Sequence, residues 1–181
     1  MKLTIPSSCV VACICEGSAE KAIMDTLLDN DRLIFTREQL LGEEIITRIS
    51  VREFEKKYLR FEFEKKIIIM RVIDSRNEQF NLSKAYRCQI EVINVITAPE
   101  IEMLIIASKD KLLDYQKRRM KPSDYCKSVL KMRDVKSFKC VKAYFSDPDY
   151  LVESILKYQH YHKQKPKEAS LFDLLKQEHT T

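Results

Sequence analysis

The run CVVACIC, Cys9 to Cys15, followed at once by Glu16-Gly17-Ser18-Ala19-Glu20, decides how this chain is read. An unbroken apolar and β-branched run of this length predicts a strand covered on both faces, because a strand with one wet face alternates instead. Glu16-Gly17-Ser18 reads as a turn. Beyond it Ala19, Ala22, Ile23, Met24, Leu27 and Leu28 recur at helical spacing, with Ser18 as the expected N-cap. The chain opens as strand, glycine turn, helix.

Working outward, Leu33 to Phe35 reads as a short second strand, with a helical turn over Thr36 to Leu41. Ser50 and Glu53 form a capping box that opens a helix running to Leu59, with Val51, Phe54 and Tyr58 inward. Lys66 to Ile73 (KIIIMRVI) is another β-branched strand and stops at Asp74. A short helical segment is expected near Leu82 to Tyr86, and Gln89 to Ile96 (QIEVINVI) alternates as a fourth strand. Thr97 and Glu100 repeat the capping box, with Pro99 in the first turn and Ile101, Leu104 and Ile105 on the buried face. Such alternation predicts an α/β fold with a mostly parallel four-stranded sheet flanked by helices. From Asp110 the signal is helical, with starts at Pro122-Ser123, Asp134 and Ser146-Asp147-Pro148, and a last helix from Ala169 to about Gln177. The expected organisation is an α/β core over residues 1–108 and a helical extension over 109–181 packed on it.

Composition bounds the class. The 181 residues are 45% hydrophobic and 33% charged with 2 Gly and 5 Pro, which excludes low-complexity and disordered chains. The formal charge is +5, yet it is local: Lys109 to Lys142 holds 12 Lys or Arg against 4 Asp or Glu, while the rest of the chain has 20 against 23. A cationic segment on a near-neutral body suits a polyanion such as nucleic acid; an ordinary solvated helical face explains it equally well. Lys117, Arg118, Arg119, Lys121 and Lys127 are the phosphate-contact candidates. Tyr115, Tyr125 and Phe138 are interleaved with the cations of Lys109 to Lys142, at spacings that favour core positions over base stacking. The six cysteines have no CxxC spacing, and no apolar run approaches the roughly 18–20 residues of a membrane span, so the expectation is a cytoplasmic protein with reduced thiols and no membrane partner.

Several chemistries are poor fits. There is no GxxxxGK[ST], GxGxxG or GxSxG, and His160 and His162 show no metal-ligand spacing. Acidic residues, by contrast, gather where predicted strands end: Glu16 after the first, Asp74 after the third, Glu100 beyond the fourth. Ends of parallel strands share one edge, where open α/β sheets bind ligands. Carboxylates meeting there would suit a hard cation such as Mg²⁺ or Mn²⁺; ordinary helix capping is the competing explanation.

Two of these segments, Cys15-Glu16-Gly17-Ser18-Ala19-Glu20 at a strand-to-helix turn and Val72-Ile73-Asp74-Ser75-Arg76 at a later strand end, resemble the TOPRIM domain of topoisomerases, DnaG-type primases and overcoming-lysogenization-defect nucleases. The likeness spans roughly residues 7–107 and implies a Rossmann-like sheet with Mg²⁺-dependent phosphodiester chemistry. By position Glu16 resembles the motif glutamate, Asp74 the first residue of an Asp-x-Asp pair, and Glu20 a second acidic position of the nuclease-like branches. Thr97 to Leu104 (TAPEIEML) is also similar to a Pro-x-Phe/Ile-Glu-x-Leu stretch of small TOPRIM-like proteins from restriction and phage-defence loci, with Glu102 at the glutamate. Glu100 and Glu102 lie about 200° apart on a helix, so one of them faces the site. The resemblance breaks at Arg76, which stands where the second aspartate is expected and cannot ligate metal. Either Arg76 binds a phosphate beside one metal held by Glu16 and Asp74, or it marks a non-catalytic module that binds nucleic acid or a partner ATPase. In the first case Glu16 or Glu20 would act as general base and Arg76 would stabilise developing charge.

Overall fold

The computed structural model describes residues 3–60, 64–99, 101–161 and 168–176. Strand β1 (Val10–Cys15) feeds helix α1 (Ser18–Asp29), and a two-residue strand β2 (Ile46–Thr47) precedes α2 (Val51–Tyr58). Strands β3 (Ile67–Ile73) and β4 (Glu91–Ile96) follow, then α3 (Met103–Ser108), α4 (Leu112–Lys117), α5 (Pro122–Ser128), α6 (Phe138–Tyr144) and α7 (Pro148–Tyr161). All strand pairs are parallel in the order β2-β1-β3-β4, giving a four-stranded sheet flanked by helices.

The apolar runs are long because β1 and β3 are the two central strands, covered on both faces. Val11, Cys13, Cys15, Ile68, Met70 and Val72 pack into a core with α1, α3, α5, α6 and α7. Their neighbours Ala12, Ile14, Ile67 and Ile69 face the other way, against Phe54 of α2 and Leu82. Arg71 is the polar exception on that second face. It is 3% exposed, its guanidinium pairs with the Glu78 carboxylate, and it lies 4.9 Å from the Phe80 ring centroid. The chain leaves β1 in one direction towards β2 and returns past it to β3 and β4. The order therefore reverses between β1 and β3, the crevice position at which open α/β sheets take ligands.

Several sequence expectations are corrected. Leu33 to Phe35 forms no strand: it makes one antiparallel bridge, Leu33 with Leu175, and the sheet position beside β1 is taken by Ile46–Thr47. Helix α1 begins one residue earlier than expected, with Gly17 as N-cap. Thr97 caps nothing, because its N–H continues the sheet ladder to the Ile73 carbonyl at 2.9 Å, and α3 starts after Glu102. Glu100, the other half of that expected box, lies outside the described residues, as does His162. Residues 84–89 form turns where a helical segment was expected, and beyond Ala169 a 3-10 turn at Leu171–Leu174 replaces the expected helix within the described residues. The Ser50–Glu53 capping box is present, with the Glu53 carboxylate accepting from the Ser50 N–H at 3.1 Å. No described helix is long and apolar enough to cross a membrane.

Candidate functional site

A cavity of about 360 Å³ opens at the carboxyl ends of β1 and β3. Glu16, Glu20, Asp74 and Glu102 line it with Arg48 and Lys136, so four carboxylates from three separated segments face two cations. Each arrives for a local reason. The N–H of Glu16 still donates to the Val72 carbonyl (2.9 Å), which carries the β1–β3 ladder one residue past the strand. The Glu16 carboxylate then accepts from the Asp74 N–H, also at 2.9 Å, tying the two strand-end turns together.

Glu20 sits in the first turn of α1 and folds back over Gly17. A β-carbon at Gly17 would stand 2.8 Å from Glu20 Oε2, so the missing side chain makes room for this carboxylate. Glu20 is 8% exposed. Burial pushes its carboxyl above the usual range, and the charges of Asp74 and Glu16 push the same way, against its own backbone N–H and Lys136. Glu102 is buried at the start of α3, with Lys136 Nζ at 3.5 Å. It lines the cavity; the segment's other candidate, Glu100, lies outside the described residues. Cys15, directly before Glu16, is fully buried, and burial holds its thiol protonated, which disfavours a nucleophilic role.

Sequence reading missed both cavity cations. Arg48 follows a strand too short to show a period. It occupies the left-handed region at φ 41°, unusual for a non-glycine residue, where its N–H reaches the Cys15 carbonyl (3.1 Å) and its Nε–H donates to the Glu16 carbonyl (2.7 Å). Lys136 was one cation among twelve in the basic segment; only a fold that brings it to Glu102 singles it out.

Other candidates lie elsewhere. Arg76 is not among the cavity-lining residues; its Nε–H donates to Glu168 at 2.7 Å. Lys117 at the end of α4, Arg118, Arg119 and Lys121 in the link to α5, and Lys127 on α5 are exposed and line no part of the cavity. Arg118 pairs with Asp114 at 3.2 Å, and Tyr125, fully buried with its hydroxyl bonded to Asp114, is a core residue.

A resident divalent cation can be tested against this donor set. Among the described residues no group of three Asp, Glu, His or Cys side chains is arranged to hold a metal by itself. Mg²⁺, however, commonly takes one or two carboxylates and completes its shell with water and substrate phosphates. The Glu16 and Asp74 turns, in direct contact and rich in oxygen donors, fit that mode. No family model, curated protein or solved structure matches the chain.

Proposed function

We propose that this protein is a TOPRIM-like enzyme that acts on nucleic-acid phosphodiesters with Mg²⁺ or Mn²⁺, as a nuclease of phage-defence or mobile-element biology. The observation that carries this reading is the meeting of Glu16, Glu20, Asp74 and Glu102 in one cavity at the switch point of a parallel sheet. Glu16 and Asp74 would hold the cation. When bound, it supplies neutralisation of phosphate oxygens and a more acidic water. Glu20, whose proton affinity is raised by burial, takes the role of general base, because a base is most effective when its pKa approaches the working pH. Arg48 and Lys136, which line the same cavity, would stabilise the phosphate's developing charge, the task that the sequence alone had given to Arg76.

The test is cleavage of labelled single- and double-stranded DNA and RNA in Mg²⁺ and in Mn²⁺, with Asp74→Ala and Glu16→Ala beside the wild type. Metal-dependent cutting lost in both variants is expected. Cutting that survives Asp74→Ala would refute the assignment. One observation favours a second reading, a non-catalytic module that binds nucleic acid or a partner ATPase: Arg76 takes the second acidic position and pairs with Glu168. That reading predicts salt-sensitive binding with no cutting in either metal.

A further inference from the structure

A second depression, about 680 Å³, adjoins the carboxylate cavity, and Thr47 and Arg48 line both. Its walls come from the turn after β2 and from α2, and its charge is the reverse of its neighbour's. Lys21, Arg48, Lys56 and Lys57 stand against Glu44 and Glu53. The Glu53 carboxylate is committed to the start of α2, where it accepts from the Ser50 N–H and hydroxyl. Lys56 and Lys57 are exposed, and Lys57 Nζ lies 4.8 Å from the centroid of the half-buried Tyr58 ring in the same wall. Glu20 and Lys21, adjacent on α1, thus serve an acidic pit and a basic groove respectively.

From this placement we infer that the groove is the binding track for a single-stranded polynucleotide, with Lys21, Lys56 and Lys57 on its phosphates, Tyr58 beside a base, and Arg48 at the passage into the carboxylate cavity. The inference rests on the phosphodiester reading of that cavity. A polyanion needs a cationic lane that leads to the reacting phosphate, and this groove shares a wall with it. The exposed cations of α4 and α5 line neither depression. A single strand is favoured because an unstacked base can meet an aromatic ring, whereas a duplex keeps its bases stacked inside.

The experiment is fluorescence anisotropy with fluorescein-labelled 15-mers of dT and rU and a 15-base-pair duplex, titrated in EDTA over a salt series. The proteins are wild type, Lys56→Gln/Lys57→Gln, and Lys117→Gln/Arg118→Gln/Arg119→Gln, each checked for an unchanged melting temperature. The groove variant should weaken single-strand binding about tenfold and lower the slope of log K against log salt by about 1.4, since each lost contact to a single strand is worth roughly 0.7. A difference between the dT and rU arms assigns the sugar. Tighter binding of the duplex, loss of affinity only in the helical variant, or no binding at all would overturn the inference. Binding in EDTA does not require cutting, so failure of the groove and failure of the catalytic reading appear in different assays.

Discussion

Replacing Glu16 by Gln and by Ala separates the two tasks given to this residue. Its carboxylate accepts the Asp74 N–H at 2.9 Å, and a hydrogen bond to a charged acceptor contributes about 1.5–3 kcal/mol, against about 1 kcal/mol for a neutral one. Glu16 is half-buried, so water recovers part of the loss. Both substitutions also remove the same like charge from beside Glu20 and Asp74, and that gain is common to the two. The informative quantity is the gap between the variants. Gln keeps an acceptor for the Asp74 amide and Ala strands it, so Ala should be the less stable by about 1 kcal/mol, or about 2–4 °C in melting temperature for a chain of this size. Urea titration in EDTA reads that gap free of any metal contribution. Glu16→Gln should also lose metal-dependent cutting while keeping most of its stability, because the amide retains the tie but not the negative charge. Equal stability of the Gln and Ala proteins would refute the tie between the two strand ends.

Two further predictions concern the pit. Because burial raises the carboxyl of Glu20, its contribution to stability is full below the unfolded glutamate range and is lost as pH rises through the folded value. The melting temperature of wild type minus that of Glu20→Gln should therefore fall as pH rises from the acid side, and a difference that rises instead would contradict the burial argument. Gly17→Ala should leave stability within about 0.5 kcal/mol, since Gly17 has extended backbone angles open to any residue. It should nevertheless reduce cutting about tenfold by displacing the Glu20 carboxylate; unchanged turnover would show that Glu20 is not used where it stands.

The parts of the fold that were legible in the sequence are those whose burial is continuous. β1 and β3 are covered on both faces and declare themselves as apolar runs, and the Ser50–Glu53 box marks the start of α2 through a local hydrogen-bond pattern. Ile46–Thr47 was invisible because two residues carry no period, and with that strand went Arg48. Leu33 to Phe35 misled for the opposite reason. Leu33 and Phe35 are deeply buried, yet the main chain here pairs with the C-terminal Leu174 and Leu175, and apolar pattern alone cannot choose a partner. In the site, strand ends pointed to Glu16 and Asp74, while Lys136 depended on a tertiary approach between segments that no spacing encodes.

Arg71 bears on how firmly Asp74 is held. The guanidinium lies inside the face of a central strand; the carboxylate and carbonyl of Glu78 and the ring of Phe80, which hold it, belong to the loop that begins at Asp74, and a longer contact at 3.4 Å goes to Asn94 Oδ1 on β4. Lifting that loop would take the only carboxylate that the described residues give Arg71 and leave a permanent cation among Ile69, Phe54 and their neighbours with the neutral Asn94 amide, far more costly than releasing an apolar side chain into water. The arrangement acts as a latch: the segment after Asp74 is either docked with its cation matched or undone as a unit, with little advantage in any halfway position. The aim of the Asp74 side chain thus depends on a salt link on the α2 face of the sheet.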